Sequence, residues 1–384
     1  MGSYETRSDV SNRPRRFDAL GTGCYVARRV VTADSLPHDA LERAVRAAFG
    51  AAARLVETRP LAGDASSRRY VRCVLRSAPH PTVVAMLLGE GRFAPGSDEL
   101  GGGGETELPF VNVGRWCARV GLPVPAVYHD ASTTDGLLLL EDVGDTTLWA
   151  AASAAPERAP ALFGDAVDLL VRFHVAGARH PAPDCYAFRR RFDRALAHAE
   201  LEHFVDHGIE TRHGRPLPPA ERARILDALG PIETVFVDTP PLVGHRDFMA
   251  WNLHVQDGAL RLIDFQDALL SPDAYDLAAL LTDRHTPTLV DPALEAALVA
   301  RYVAGRGAAG VPVAGDLSAR YGLCALHRAL KVIGRFHQLE LVRGRPGYLA
   351  YLPGVYAVAR RMFDRHPELA AARALVAPLV PELA

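Results

Sequence analysis

The sequence predicts an α+β fold of two lobes, a small antiparallel β lobe followed by a larger, mainly helical one. Three observations predict it. Apolar, β-branched runs at residues 69–75, 82–88 and 137–140 are confined to the first 141 positions. Helical spacings dominate everything after them. Between the two regimes lies a short polar stretch, Glu141-Asp142-Val143-Gly144-Asp145. The expected organisation is an irregular or disordered segment over 1–35, a nucleotide-binding lobe over 36–143, and a helical lobe over 144–384.

Taken in order, residues 1–20 are polar and read as disordered. Residues 39–53 carry alanine, leucine and arginine at helical spacing and predict a short helix. The strands at 69–75 and 82–88 are punctuated by Pro79 and Pro81. Residues 89–104, with four consecutive glycines, predict a mobile loop. An amphipathic helix follows at 108–120, an edge-like strand at 124–129, and a buried strand at Leu137-Leu138-Leu139-Leu140. Further helices are expected at 161–178, 186–207, 220–229, 275–282, 292–304 and 317–341.

The most informative stretch runs from His245 to Gln266. His245-Arg246-Asp247 is followed five positions after the aspartate by Asn252. Asp257-Gly258 sits between alternating apolar residues, a hairpin signal. The second arm of that hairpin ends at Asp264-Phe265-Gln266. Such a hairpin brings Asn252 and Asp264 together while Asp247 projects from the loop before them. Phosphoryl transfer asks for this set: one carboxylate to orient and deprotonate a hydroxyl, an amide oxygen and a second carboxylate to hold Mg²⁺ on the phosphates. The pattern follows H-R-D-x-x-x-x-N and D-F-x, with Gln266 where protein kinases carry glycine. The expected cofactors are therefore ATP and Mg²⁺, Asp247 is the candidate base, and Asn252 and Asp264 are the candidate metal ligands.

Composition narrows the class. A hydrophobic content of 49% and a charged content of 23% are those of an ordinary soluble protein. The net charge of -2 gives no reason to expect nucleic acid or a membrane surface as partner. No apolar run approaches a membrane span. The cysteines, Cys24, Cys73, Cys117, Cys185 and Cys324, include no C-x-x-C pair and read as reduced thiols. A cytoplasmic location is expected, with the oligomeric state left open. Lysine occurs once, at Lys331. A Gly-Lys-Ser/Thr P-loop is thus excluded by counting, and so is the strand lysine that grips phosphates in protein kinases.

On the nucleotide side, Leu61 to Arg69 turns on Gly63, and Ser66 and Ser67 offer hydroxyls and backbone N–H groups to phosphates, unless it is an ordinary hairpin. Met86 occupies the strand where a lysine would be expected. Arg68 is the candidate replacement cation, since guanidinium forks onto phosphate oxygens; the alternative is a surface arginine. Glu141, Asp142 and Val143 offer strand-edge backbone groups to an adenine, or form a plain linker. Glu107 reads as a solvated first-turn glutamate.

These residues together resemble the aminoglycoside phosphotransferase superfamily, and most of all its bacterial branch that phosphorylates the anomeric hydroxyl of N-acetylmuramate and N-acetylglucosamine in cell-wall recycling. The carrying motifs span residues 61 to about 336. They include Leu61-Ala62-Gly63-Asp64-Ala65-Ser66, Leu138-Leu139-Leu140-Glu141-Asp142, His245-Arg246-Asp247 with Asn252, Ile263-Asp264-Phe265-Gln266-Asp267, Tyr275-Asp276-Leu277-Ala278 and Leu330-Lys331-Val332-Ile333-Gly334. The resemblance implies a protein-kinase-like fold, a small sugar as acceptor, and the same roles for Asp247, Asn252 and Asp264. It implies that Asp276 buttresses the catalytic loop and that Glu200 reaches the acceptor site. Phe248-Met249-Ala250-Trp251 departs from the usual polar stretch. Another alcohol as acceptor, an aminoglycoside among them, and a nucleotide-binding pseudokinase are the rival expectations.

Arg328, Lys331 and Arg335 share one helix face. That face suits an anionic acceptor, or else forms a solvated stripe. His203 and His207 have an i,i+4 spacing that can bind zinc, but no third ligand is evident.

Overall fold

The computed structural model describes residues 37–61, 68–88 and 107–384. The expected disorder at the start, the phosphate loop with Ser66 and Ser67, and the glycine-rich loop lie outside the described residues.

A helix, α1 (His38–Phe49), leads into a sheet of five antiparallel strands: β1 (Arg54–Pro60), β2 (Arg69–Arg76), β3 (Thr82–Leu87), β4 (Val127–Ala131) and β5 (Leu137–Glu141). Their order is β1-β2-β3-β5-β4. The helix α2 (Pro109–Arg119) lies between β3 and β4 in the chain. In β2 every second residue, Val71, Cys73 and Leu75, is buried, the alternation of a strand with one covered face. In β5 the four leucines point to alternate sides and all are buried, so both faces are covered there. β4 is an edge strand, as its sequence predicts.

The sequence expectation carries the first helix to residue 53 and has no strand before 69; the chain corrects both points. Gly50 turns at φ +92°, ending α1, and the side chain of Glu42 accepts the Leu55 N–H at 2.9 Å, starting β1. β1 alternates poorly, with a single buried residue, which is why its pattern is not legible.

The remainder is mainly helical. α3 (Leu148–Ala154), α4 (Ala159–Arg179), α5 (Arg194–His203) and α6 (Pro219–Asp238) precede four short strands, β6 (Leu242–Gly244), β7 (Leu253–Gln256), β8 (Ala259–Leu262) and β9 (Leu269–Ser271). α7 (Tyr275–Thr282), α8 (Pro292–Ala308), α9 (Leu317–His337), α10 (Leu352–Arg365) and α11 (Ala370–Val376) follow. β6 pairs with β9, and β7 with β8. All eight residues of α7 are buried, so its Asp276 has a structural reason to be there.

Three expected helices end differently. Residues 186–207 break into a short 3₁₀ turn (Tyr186–Phe188) and α5. Asp193 caps α5 by accepting the Leu196 N–H at 2.9 Å, and the stretch before it is claimed by Leu270, whose carbonyl takes the Phe192 N–H at 2.8 Å. A π-helical turn, Phe204–Thr211, extends α5. α6 runs past the expected stop at 229 and carries Pro231 inside. α9 passes into a π turn at Gln338–Val342. Gly334 of α9 lies where any Cβ would come within 2.7 Å of the His203 carbonyl and 2.9 Å of Phe204 Cα, so the end of α5 and α9 meet backbone to backbone.

Candidate active site

The loop that leaves β6 is pinned from below. One carboxylate oxygen of Asp276 accepts the His245 N–H at 2.6 Å and the other accepts the Arg246 N–H at 2.9 Å. Arg246 has φ +77°, a left-handed conformation that costs energy without such a grip. The ring Nε2 of His245 donates to the Ile263 carbonyl at 3.0 Å and ties the loop to the hairpin's far arm. Asp276 thus buttresses the loop without facing solvent.

The hairpin forms as its turn residues require. Asp257 and Gly258 both have positive φ, +50° and +78°, the signature of a two-residue type I′ turn. Leu253 pairs with Leu262, and the Ile263 N–H donates to the Asn252 carbonyl at 3.1 Å. The Asn252 amide nitrogen donates to the Asp247 carbonyl at 2.9 Å and lies 3.5 Å from Asp264 Oδ2. With its N–H end committed, the amide has its oxygen left to offer a cation. Asp264 itself has φ +65°. Asp247, Asn252 and Asp264 therefore converge, and all three stay partly open while Phe248, Phe265, Gln266 and Asp267 around them are buried.

Electrostatics distinguish the two aspartates. The surrounding protein desolvates Asp247, but Arg328, Lys331, Arg246 and His245 outweigh that and hold its carboxyl at about 2. Asp264 is pushed upward, by burial first and then by the like charges of Asp247 and Asp267, which outweigh the opposing Gln266 amide and His245. A carboxylate in a neighbourhood short of positive charge suits a divalent cation. Among the described residues no group of three or more His, Cys, Asp or Glu forms a metal cage. One carboxylate and one amide suit Mg²⁺, which keeps waters and takes its remaining oxygens from phosphates.

Behind Asp247 lies a buried ionic cluster. Glu200 is fully buried on α5 and pairs with Lys331, with Arg246 at 3.2 Å and with His327 at 3.7 Å. Burial raises its carboxyl; Lys331, Arg246 and His327 pull it down to about 2. Arg328 is 5% exposed, and Arg335 donates to the Gln338 side chain at 2.8 Å. The three cations on α9 thus share a side, with Arg328 and Lys331 turned onto carboxylates of the chain.

On the sheet side, burial pushes the Tyr70 hydroxyl up, the neighbouring Arg68 opposes this, and the charges of Asp264 and Asp267 add to it. That brings the start of β2 near the hairpin aspartates. Asp142 is held by Arg72 at 2.6 and 2.9 Å, and its carbonyl accepts from the Gln256 side chain at 3.0 Å. The Glu141 N–H donates to Ala126, and its carboxylate pairs with Arg261. Glu107 pairs with Arg115 and Asn112. Burial, then His207, lowers His203 to about 3; the two rings meet at 4.6 Å, His207 bonds Thr211 at 3.0 Å, and His203 Nε2 is buried without a hydrogen-bond partner among the described residues.

Asp283 belongs to the motif that follows α7 but carries no role from sequence; it lies 3.7 Å from Arg328, and an aromatic block forms around Trp251. Trp251 stacks on Trp149 at 5.5 Å, and the Arg284 guanidinium lies 5.4 to 5.8 Å from the rings of Trp251, Tyr351 and Phe336. No local motif marks these contacts, because their partners come from four distant segments.

Residues 57–311 match the family model described as "Phosphotransferase enzyme family". The chain belongs to that family. Among curated phosphotransferases it is 30% identical to the N-acetylmuramate/N-acetylglucosamine kinase of Pseudomonas putida, over 82% of this chain and 86% of the relative. It is 32% identical to the protein of the same name from Neisseria meningitidis serogroup B, over 83% and 89%. Solved structures share the fold at low identity. Amicoumacin kinase hAmiN, in complex with AMP-PNP, Ca²⁺ and Ami, superposes with a TM-score of 0.56 at 14% identity over 81% of this chain and 89% of that one. The streptomycin–ATP–APH(2")-IIa ternary complex gives 0.53 at 14% over 83% and 97%. The expected protein-kinase-like α+β fold is thus borne out. Among the described residues no helix is long and apolar enough to cross a membrane.

Proposed function

We propose that this phosphotransferase moves the γ-phosphoryl group of ATP to the anomeric hydroxyl of N-acetylmuramate or N-acetylglucosamine, in the cytoplasm, within cell-wall recycling. The observation that carries the reading is the convergence of Asp247, Asn252 and Asp264 on one partly open face. The names borne by relatives at about 30% identity over most of the chain support the choice of acceptor.

In this mechanism Asp247 orients the acceptor hydroxyl and takes up its proton as the oxygen attacks. A carboxyl held at about 2 is a weak base, so alignment comes first and proton uptake follows as the P–O bond forms. Asn252 and Asp264 would hold Mg²⁺, which neutralises charge on the transferring phosphoryl group when bound. Arg68 serves as the phosphate cation in place of a strand lysine, beside a loop that contains Ser66 and Ser67. The backbone of Glu141, Asp142 and Val143 lies against the adenine: Val143 is buried, and its N–H has no partner among the described residues. Glu200, Arg328 and Lys331 form the acceptor side, with Lys331 the least enclosed of the three.

A panel of amino sugars, hexoses and aminoglycosides with ATP and Mg²⁺ tests the proposal. Phosphate transfer to the two N-acetyl sugars is expected. Transfer only to aminoglycosides or simple alcohols would replace the acceptor, and ATP binding without transfer to any would replace the enzyme with a pseudokinase.

A further inference from the structure

We infer that Gln266 is a positioning residue for the divalent cation, a clamp that fixes which oxygen of Asp264 faces the metal. The inference rests on the proposed role of Asp264 as ligand and deepens it.

Gln266 is 3% exposed, and its side chain turns back two residues along the chain. The amide nitrogen donates to Asp264 Oδ1 at 2.7 Å and reaches Asp267 Oδ2 at 3.3 Å. Only the NH₂ end of an amide can meet two carboxylates, so its orientation follows from its surroundings. The residue is anchored from two further directions. Arg190 donates to its carbonyl at 3.0 Å. The neighbouring Phe265 ring lies 4.8 Å from Phe110 and so close to α2 that a Cβ on Gly114 would sit 3.0 Å from it.

The clamp divides the labour of one carboxylate. Oδ1 of Asp264 is held by Gln266, while Oδ2 lies 3.5 Å from Asn252, the other candidate ligand. Asp264 sits at φ +65°, where nothing in the backbone alone fixes the side chain. Its neutral donor also has a reason. Arginine or lysine here would separate Asp264 from Asp267 equally well but would cancel the charge that attracts a cation. An amide separates them and adds none. The surroundings stay rich in acceptors, since Gln266 Oε1 and Asp267 Oδ1 are both buried without a hydrogen-bond partner. Where protein kinases have a flexible glycine, this chain has a fixed hydrogen-bond donor.

The test is Mn²⁺ binding, read by electron paramagnetic resonance in the presence of a non-hydrolysable ATP analogue, for the full chain and for Gln266→Met and Gln266→Ala. Methionine keeps length and volume while removing the donor; alanine removes both. Both variants are expected to bind Mn²⁺ about tenfold more weakly. Thermal melting should stay close to wild type for Gln266→Met, and turnover should recover at saturating Mg²⁺. Metal affinity within twofold of wild type in either folded variant would overturn the clamp. An equal loss of activity at every Mg²⁺ concentration would overturn it too. Absence of Mn²⁺ binding in the wild-type chain would instead remove the metal assignment itself, a result distinguishable because no acceptor sugar enters the measurement.

Discussion

Arg328 places both terminal guanidinium nitrogens 3.5 Å from Oδ1 of Asp247 and donates to the neighbouring Arg246 carbonyl at 3.1 Å. It is itself steadied by Asp283 and by the ring of Tyr275, 5.6 Å from the guanidinium carbon. One oxygen of Asp247 is therefore engaged from behind, and the other is the one the proposed mechanism turns to a substrate hydroxyl. Asp247→Asn keeps the shape and removes the charge. Turnover is expected to fall by about 10²–10⁴ while nucleotide affinity changes little. Steady-state kinetics with a parallel nucleotide titration checks this, and near-wild-type turnover would remove Asp247 from the mechanism.

Glu200 makes the acid stability of the chain measurable at one residue. Lys331, Arg246 and His327 face it, with Tyr275 and His203 nearby, and its carboxyl is held at about 2, below its ordinary value. The sign follows from that depression: the stabilisation is present above the unfolded carboxyl's range near 4 and is lost as pH falls toward 2. Glu200→Gln leaves the buried Arg246 and the half-buried Lys331 short of a partner and should cost about 3 kcal/mol near neutrality. The gap between variant and wild type should close as pH drops from 4 to 2. Denaturant titrations at stepped pH measure it, and a gap constant with pH would contradict the assignment.

Gly334→Ala places a methyl group against backbone rather than side chain. Backbone cannot swing aside, so α9 must shift from α5 and carry Lys331 away from Glu200. Overpacking of this kind costs about 1–3 kcal/mol. A lowered melting temperature with a raised KM for the acceptor, and an unchanged KM for ATP, is the expected pattern. An unperturbed variant would show that the two helices separate freely.

Asp264→Asn should trade function for stability. The charge removed is crowded by Asp247 and Asp267. Without metal the variant is expected to melt at or above the wild-type temperature, yet to lose Mg²⁺-dependent turnover. Calorimetry with a chelator present and activity with Mg²⁺ form the pair of measurements. A destabilised metal-free variant would mean that the Gln266 bond to Asp264 outweighs the repulsion.

Legibility in the sequence tracked the range of the forces involved. The hairpin around Asp257-Gly258 was readable because a type I′ turn is a local event, and the convergence of Asn252 and Asp264 follows from its register. α7, with bounds at Tyr275–Thr282, was equally plain because its apolar residues are contiguous. β1 was not, since its pairing with β2 rather than its own pattern makes it a strand. α6 continues past the expected end at 229 and through Pro231, a residue that locally disfavours a helix interior. α3, α10 and α11 were also absent from the reading. At the site, spacing pointed to the three polar residues. It gave no hint that Arg328 is spent on Asp247 or that Asp283 stands behind it, since those contacts join elements more than 40 positions apart.

The chain's single lysine side chain, Lys331, is paired with a fully buried carboxylate next to Asp247. Reagents that acylate or reductively methylate side-chain amines therefore meet one target here, against a background of arginine that they leave alone. An isotope-enriched methyl group installed at that nitrogen would give the only side-chain reporter of its kind, beside the proposed acceptor region and distinguishable by pH titration from a labelled α-amine.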